Sequence, residues 1–180
     1  MRREIFQEIE VPEGVNVKIE DNTIFVSGKM GENTKKFRSS KVEFKVSNGK
    51  VFIGNKGATK KEKKIINTYA AHLRNMIRGS SEGFEYILKS VYSHFPITVE
   101  IHGNEAIIKN FLGEKIPRKS KILDGVKVSI KNDVITVSSA SKESSGQTAA
   151  NFENSTKVGK RDRRVFQDGI FITNKAGEEI

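Results

Sequence analysis

Residues 15–32 read VNVKIEDNTIFVSGKMGE, and residues 97–114 read ITVEIHGNEAIIKNFLGE, so one apolar pattern occurs twice at an offset of 82. A second pair follows in the same order, because VEFKVSNGKVFI (42–53) matches VKVSIKNDVITV (126–137) at an offset of 84. Two matches in the same order are stronger than either alone. They predict a duplicated chain with two similar domains.

Both copies alternate apolar and polar residues, which is typical of half-buried antiparallel strands. Short polar pairs are expected to turn the hairpins: Asp21-Asn22, Asn48-Gly49 and Gly103-Asn104. The segment 82–101 is expected to lead into the second domain as a strand. Each sheet needs a cover for its apolar face.

A helix is predicted to cover the first sheet. Thr59 and Glu62 have the spacing of a capping box, and Gly79 is expected to end the helix. The predicted apolar stripe of this helix is Ile65, Ile66, Tyr69, Ala70, Leu73 and Ile77. The second cover is expected within 141–158, with Ala149, Ala150 and Phe152 as its buried candidates.

These patterns predict an α+β fold with two tandem homologous domains, each an antiparallel β-sheet covered by an α-helix, plus a basic C-terminal extension. The expected domains are 1–82 and 83–158, and the extension is 159–180. At about 90 residues each, the two halves can bury modest cores.

The formal net charge of +10 favours a polyanionic partner. Four short windows hold 18 of the 32 Lys and Arg residues: 35–41, 56–64, 115–121 and 157–164. One such window alone is as often plain solvated surface. Four in one chain favour contacts with phosphate groups.

Other classes of function lose support. The chain has no Cys, which excludes disulfides and zinc–thiolate sites. No long apolar run or signal-peptide pattern is present, so a soluble, intracellular protein is expected. The three histidines, at 72, 94 and 102, have no carboxylate at ligand spacing, and no Ser/His/Asp motif or phosphate loop appears. We therefore expect no enzyme activity, no metal and no cofactor.

Two binding classes remain open, an RNA-binding structural protein and a general polyanion or membrane-surface binding protein. A membrane-surface helix needs a basic polar face opposite an aromatic, apolar one. Here the cations lie in loops, at the tail and at a helix start, where Lys56, Lys60 and Lys61 could meet a phosphate. This placement favours nucleic acid.

The stretch VGKRDRRVFQDGIFIT (158–173) combines a cationic burst with apolar anchors. Phe166, Ile170 and Phe171 are expected to dock the segment, although an aromatic ring here could also stack on RNA. Asp162 either orients a neighbouring arginine or is a solvated acid. Asp168-Gly169 suits a turn.

Four motifs carry a family resemblance: LRNMIRGSSEGFEYILKSVYSHFPI (73–97), KNFLGEK (109–115), GQTAANFE (146–153) and RRVFQDGIFI (163–172). With them the chain resembles the archaeal and eukaryotic branch of the large-subunit ribosomal protein L-six family. The resemblance spans nearly all 180 residues. The bacterial PYKGKGIRY-type segment is missing near the tail, so residue assignments from bacterial members transfer poorly.

The resemblance implies a non-catalytic protein of the cytoplasmic large ribosomal subunit, present there as a monomer. It would bind large-subunit rRNA near the stalk base and the sarcin–ricin loop, beside other ribosomal proteins and, indirectly, translational GTPases. The contact residues implied for this chain are Lys157, Lys160, Arg161, Arg163, Arg164, Gly146 and Gln147, with Lys115, Arg118 and Lys119 as further candidates. Which nucleotides they meet is left open.

Overall fold

The computed structural model describes residues 3–20, 22–38, 41–47 and 49–180. The chain divides into two compact units, Met1–Gly83 and Phe84–Ile180. Each unit has its own buried apolar core.

The first unit contains two antiparallel three-stranded sheets and one helix. One sheet has the strand order β2-β3-β4 and the other β1-β6-β5. The elements are β1 (Arg3–Glu10), β2 (Asn16–Glu20), β3 (Thr23–Gly28), β4 (Gly31–Lys36), β5 (Glu43–Ser47), β6 (Lys50–Ala58) and α1 (Lys60–Ser81).

The second unit repeats this plan and extends it. One sheet has the order β10-β9-β8, and a five-stranded sheet has the order β11-β12-β7-β13-β14. Its elements are β7 (Phe84–Val91), β8 (Thr98–His102), β9 (Glu105–Lys109), a short 3-10 turn (Phe111–Gly113), β10 (Arg118–Lys121), β11 (Lys127–Lys131), β12 (Val134–Ser139), α2 (Lys142–Ser155), β13 (Gly169–Lys175) and β14 (Glu178–Glu179).

The duplication read from the sequence has a direct structural counterpart. The hairpin β2–β3 corresponds to β8–β9 at the predicted offset, and β5–β6 corresponds to β11–β12. The strand expected within 82–101 is β7, which buries Phe84, Tyr86 and Leu88. The predicted α+β fold with two similar halves is confirmed.

The expected hairpins close at the predicted places. Ser47 pairs with Lys50, and His102 pairs with Glu105. Asp21 and Asn48, which were expected to help form two of these turns, lie outside the described residues.

Helix α1 covers the first unit as predicted and begins with the predicted capping box. Thr59 is the N-cap, and its backbone N–H donates to Oε2 of Glu62 at 2.9 Å. The expected end at Gly79 is wrong, because Gly79 is buried within the helix, which runs on to Ser81. The chain leaves the helix at Gly83, whose φ of 80° is readily available to glycine.

Helix α2 covers the second unit and begins at Lys142, with Ser141 as its N-cap. Two of its three predicted core residues, Ala149 and Phe152, are fully buried. Ala150 is only half-buried.

The C-terminal segment contributes a strand to the second sheet. β13 pairs antiparallel with β7 on the edge opposite β12. Ile170, one of the expected anchors, is fully buried in the second core. The segment 159–180 therefore contains both a cluster of cations and a strand, β13, that fixes this cluster to the second sheet.

Glu62 predicts an acid-sensitive contribution to stability. Hydrogen bonds from the Thr59 hydroxyl and backbone, and more weakly from Lys41, lower the pKa of Glu62 from 4.5 to about 2. Since the folded state lowers this pKa, the stabilisation is present above about pH 4.5 and is lost as the pH falls towards 2. Glu62→Gln should lower the urea midpoint at pH 7, and this deficit should shrink across that window. Glu13→Gln, at an exposed position, serves as the control and should show no such pH dependence.

Candidate nucleic-acid interface

The cationic residues 157–164, here called the tail segment, lie between α2 and β13 and fold into a tight turn. The backbone N–H groups of Val165 and Phe166 donate to the carbonyl oxygen of Asp162 at 3.2 and 2.9 Å. The turn therefore lies at residues 162–166. The turn expected at Asp168-Gly169 is wrong, because Gly169 already begins β13 and Asp168 is buried.

Asp162 organises this turn through Arg164. Its carboxylate accepts from Nε and Nη2 of Arg164 and from the Arg164 backbone N–H, at 2.9–3.3 Å. These bonds, the side-chain ones first, lower the pKa of Asp162. Of the two roles considered for Asp162, the structure shows the one in which it orients an arginine. The Arg164 side chain is still 90% exposed.

Three tail cations, Lys157, Lys160 and Arg163, are exposed and form no ion pair within the described part of the chain. Lys160 has a φ of 59°, in the left-handed region. Like charges on one short segment repel one another, and an anionic ligand would relieve that repulsion.

Phe166 holds the tail segment by its ring. The guanidinium carbon of Arg161 lies 4.8 Å from the ring centroid of Phe166, and the His94 ring stacks on Phe166 at 5.0 Å. Such contacts fix the guanidinium without neutralising its charge. The predicted docking role of Phe166 therefore has a concrete partner in His94.

Asp168 anchors the start of β13. Its carboxylate accepts from the backbone N–H groups of Ser93 and His94, from the Ser93 hydroxyl, and contacts His94 Nδ1 at 3.0 Å. Burial by itself raises the pKa of Asp168, but these hydrogen bonds outweigh it and lower the pKa. The loop after β7 is thereby tied to the residue that immediately precedes β13.

Ser93, His94 and Asp168 do not form a catalytic triad. In a triad the serine and the carboxylate bind opposite nitrogens of the imidazole ring. Here both Ser93 Oγ and Asp168 Oδ1 contact Nδ1 of His94, at 3.1 and 3.0 Å. The cluster can hold a loop, but its histidine is not placed to take a proton from the serine on the far nitrogen.

Arg118 has structural contacts. It forms a two-pronged ion pair with Glu114, at 2.6 and 2.7 Å. Its guanidinium carbon also lies 4.3 Å from the ring centroid of Phe111. Its Nη1 also donates to the carbonyl oxygens of Ser155 and Lys157. Arg118 thus joins the 114–118 loop to the end of α2 and to the tail segment. An additional RNA contact by Arg118 stays a prediction.

Lys115 and Lys119, the other two cations predicted here, differ from Arg118 in their contacts. Lys115 is exposed and has no ion pair in the described residues, whereas Lys119 lies 3.0 Å from Glu105. Lys115 lies in the 114–118 loop, which Arg118 ties to Lys157 of the tail segment, and Lys119 follows Arg118 in β10.

Gly146 and Gln147 were expected at the start of α2, but they lie in its second turn. A side chain at Gly146 would come within 3.1 Å of the Tyr86 hydroxyl, so the approach that its small size permits is that of Tyr86. Gln147 is exposed and donates to Asn151 at 2.9 Å. Their contacts with RNA remain predictions.

The predicted cations of the first unit lie around the start of α1. Lys56, Lys60 and Lys61 are exposed and form no ion pair in the described part of the chain. The helix dipole disfavours cations at this end, so the placement costs stability unless an anion is bound.

Comparisons with known proteins agree with this architecture. The family model for ribosomal protein L6 matches residues 11–83 and 95–169, one match in each unit. The chain belongs to the ribosomal protein L6 family. The family is a structural one and not a family of enzymes.

Two archaeal relatives span nearly the whole chain. It is 44% identical over 171 residues to the large ribosomal subunit protein uL6 of Methanobrevibacter smithii, covering 95% of this chain and 96% of the relative. It is 42% identical over 177 residues to the uL6 protein of Methanocella arvoryzae, covering 98% and 100%.

Two further features of this L6-family chain concern membrane-spanning helices and metal-binding clusters. None of the helices in the described ranges is long and apolar enough to cross a membrane. Over the same ranges, no group of three or more His, Asp or Glu side chains could hold a metal ion.

Several residues of the interface carry no local sequence signal. Ser93 and His94 are 74 or 75 positions from Asp168, so their contact appears only in the folded chain. Val91 and Phe171 line a cavity beside the tail segment. Both side chains are exposed on the same face of the sheet, but the sequence does not show this, because it depends on the register between β7 and β13.

Arg118→Ala should destabilise the second unit. It removes hydrogen bonds to a carboxylate and to two carbonyl groups, and a charged hydrogen-bonding group of this kind is worth about 1.5–3 kcal/mol. Arg118→Lys should not restore this, since an ammonium cannot form the two-pronged pair. Lys115→Ala is the control and should change the free energy of unfolding by less than about 0.5 kcal/mol. Urea denaturation measures all three, and equal losses would contradict the structural role.

Proposed function

We propose that the chain is a structural constituent of the large subunit of the cytoplasmic ribosome and binds large-subunit rRNA through its second unit. The observation that carries this proposal is the tail segment. It presents Lys157, Lys160 and Arg163 without acidic partners among the described residues, next to a stacked Arg161, on a loop anchored at both ends. Two relatives of nearly equal length are named as large ribosomal subunit proteins.

The binding mechanism follows from the chemistry of these side chains. Arginine can donate two parallel hydrogen bonds to phosphate oxygens, and lysine supplies a point charge. Such contacts fix the position of a protein on RNA but do not read bases. Specificity then comes from the shape of the folded RNA. A preformed loop loses little conformational entropy on binding.

We further propose the place and the partners. The site on rRNA is the base of the factor-binding stalk near the sarcin–ricin loop, with neighbouring ribosomal proteins and, indirectly, translational GTPases in reach. The chain acts there as a monomer. The proposed organisation is two domains, 1–82 and 83–158, followed by the segment 159–180, whose basic turn faces RNA while β13 holds it.

The salt dependence of RNA binding tests the tail segment. Arg161→Ala, Arg163→Ala and Arg164→Ala together should weaken binding to large-subunit rRNA and lower the log–log salt slope by about 0.7–0.9 per lost phosphate contact. Lys45→Ala, which removes a cation paired with Glu43 in the first unit, is the control and should leave the slope unchanged. If the triple variant binds RNA with the same salt slope as the wild-type protein, the tail segment is not part of the interface.

Crosslinking in native large subunits tests the location. Lysine- and arginine-directed crosslinks from 157–164 should map to rRNA around the stalk base and the sarcin–ricin loop. Crosslinks confined to another part of the subunit would overturn the location while leaving rRNA binding intact. Recovery of the protein with lipid vesicles and not with ribosomes would instead favour the general polyanion or membrane-surface class.

A further inference from the structure

A cavity of about 660 Å³ opens in the second unit beside the tail segment. Its walls come from the C-terminal end of α2, from residues 157–168 and from the ends of β7 and β13. Its size lies within the range of about 300–1,000 Å³ that is typical of ligand sites.

One wall of the cavity is apolar and open to solvent. Val91 and Phe171 are each 42% exposed. Gly169 pairs with Val91, so Phe171, two residues further along β13, lies on the same sheet face, diagonal to Val91. Phe166 adds a second aromatic ring to the lining. Such a wall is suited to cover a flat, apolar surface of a ligand.

Other residues that line the cavity are polar or cationic. Lys157 and Arg163 line it, and neither forms an ion pair with a described residue. The side-chain amide of Asn154 forms no hydrogen bond within the described ranges. Among the described residues, the side chain of Gln167 forms one hydrogen bond, from its Nε2 to the carbonyl oxygen of Arg164 at 3.2 Å.

The acidic residues do not cancel this positive charge. Of the two acids that line the cavity, Asp168 is only 1% exposed and its carboxylate is bound to Ser93 and His94. Glu153 is exposed to solvent. The lining therefore contains two cations that form no ion pair with a described residue and one exposed carboxylate, so the cavity favours an anion.

We propose that this cavity takes the base of one unpaired nucleotide of large-subunit rRNA, with the adjoining phosphate bound by Lys157 and Arg163. The inference rests on the proposed function and names how that interface recognises its RNA. A nucleotide combines a flat apolar face, a hydrogen-bonding edge and an anionic phosphate, which matches Phe171, Asn154 and Arg163 in turn.

The nucleotide must be unpaired for a geometric reason. In double-helical RNA the faces of the bases are covered by their stacked neighbours, whereas loops and bulges present unstacked bases on which aromatic side chains can stack. Base–aromatic stacking is tolerant of sequence, so the cavity selects a single-stranded position and leaves base identity to the polar edge groups.

Phe171→Ala is the decisive variant, measured with the full-length protein and deproteinised large-subunit rRNA. Loss of one stacked base should weaken affinity by about 5- to 150-fold without changing the salt slope. Phe171→Tyr keeps the ring and should bind like the wild-type protein. Val134→Ala removes another exposed apolar side chain, 38% exposed, from the same sheet and is the matched control. Thermal unfolding of each variant identifies any loss of fold.

Ultraviolet crosslinking of the same complexes gives a second readout. The wild-type protein should crosslink through the peptide that contains Phe171 to one unpaired nucleotide, and Phe171→Ala should lose this crosslink. If Phe171→Ala binds with wild-type affinity and no such crosslink forms, the cavity inference is wrong while rRNA binding stands. If the wild-type protein does not bind the rRNA, the proposed function itself fails. A crosslink from Phe171 to a neighbouring ribosomal protein in native subunits would also overturn the inference.

Discussion

The pairing of β13 with β7 is the constraint on which the proposed interface depends. It buries Ile170 completely and brings Asp168 to the backbone of Ser93 and His94. A cationic segment would by itself stay extended and mobile, because its charges repel one another and it has little apolar area to bury. Fixing the chain on both sides of 157–168 overcomes that tendency and holds the cations as a turn.

The same pairing distinguishes the two halves of a duplicated fold. In the first unit β6 lies between β1 and β5, and in the second unit β12 lies between β7 and β11. Among the described residues, the sheet of the first unit ends at β1, whereas the sheet of the second unit continues from β7 through β13 and β14. That addition also supplies Phe171 and with it the apolar wall of the cavity. The added strand thus accounts for both the anchor of the tail and the surface proposed to bind RNA.

The cations divide by what holds them. Arg118 donates hydrogen bonds to Glu114 and to the carbonyl oxygens of Ser155 and Lys157, and it thereby connects the 114–118 loop to the tail segment. Arg164 is oriented by Asp162, whereas Lys157 and Arg163 have no acidic partner within the described ranges. Charge clustering in the sequence cannot separate these roles, since all four residues carry the same charge. The separation depends on which carboxylates and carbonyls the fold brings within about 3 Å.

Local rules predicted much of the architecture. Alternation and the repeated offsets placed the paired hairpins, and the Thr59–Glu62 spacing placed the start of α1. They failed at Gly79, which packs inside the helix, and at Asp168-Gly169, where tertiary hydrogen bonds replace the expected turn. A helix continues through glycine when burial outweighs its low propensity, and that balance is not visible locally.

The sequence by itself determined the α+β duplication, the positive charge and where that charge is clustered. These properties depend on composition and on short-range periodicity, which each segment carries with it. Only the tertiary structure decided which cations lack an acidic partner among the described residues, that His94 meets Asp168, and that Val91 and Phe171 line one cavity. Those outcomes require strand register and contacts between segments more than 70 residues apart, and no local pattern encodes them.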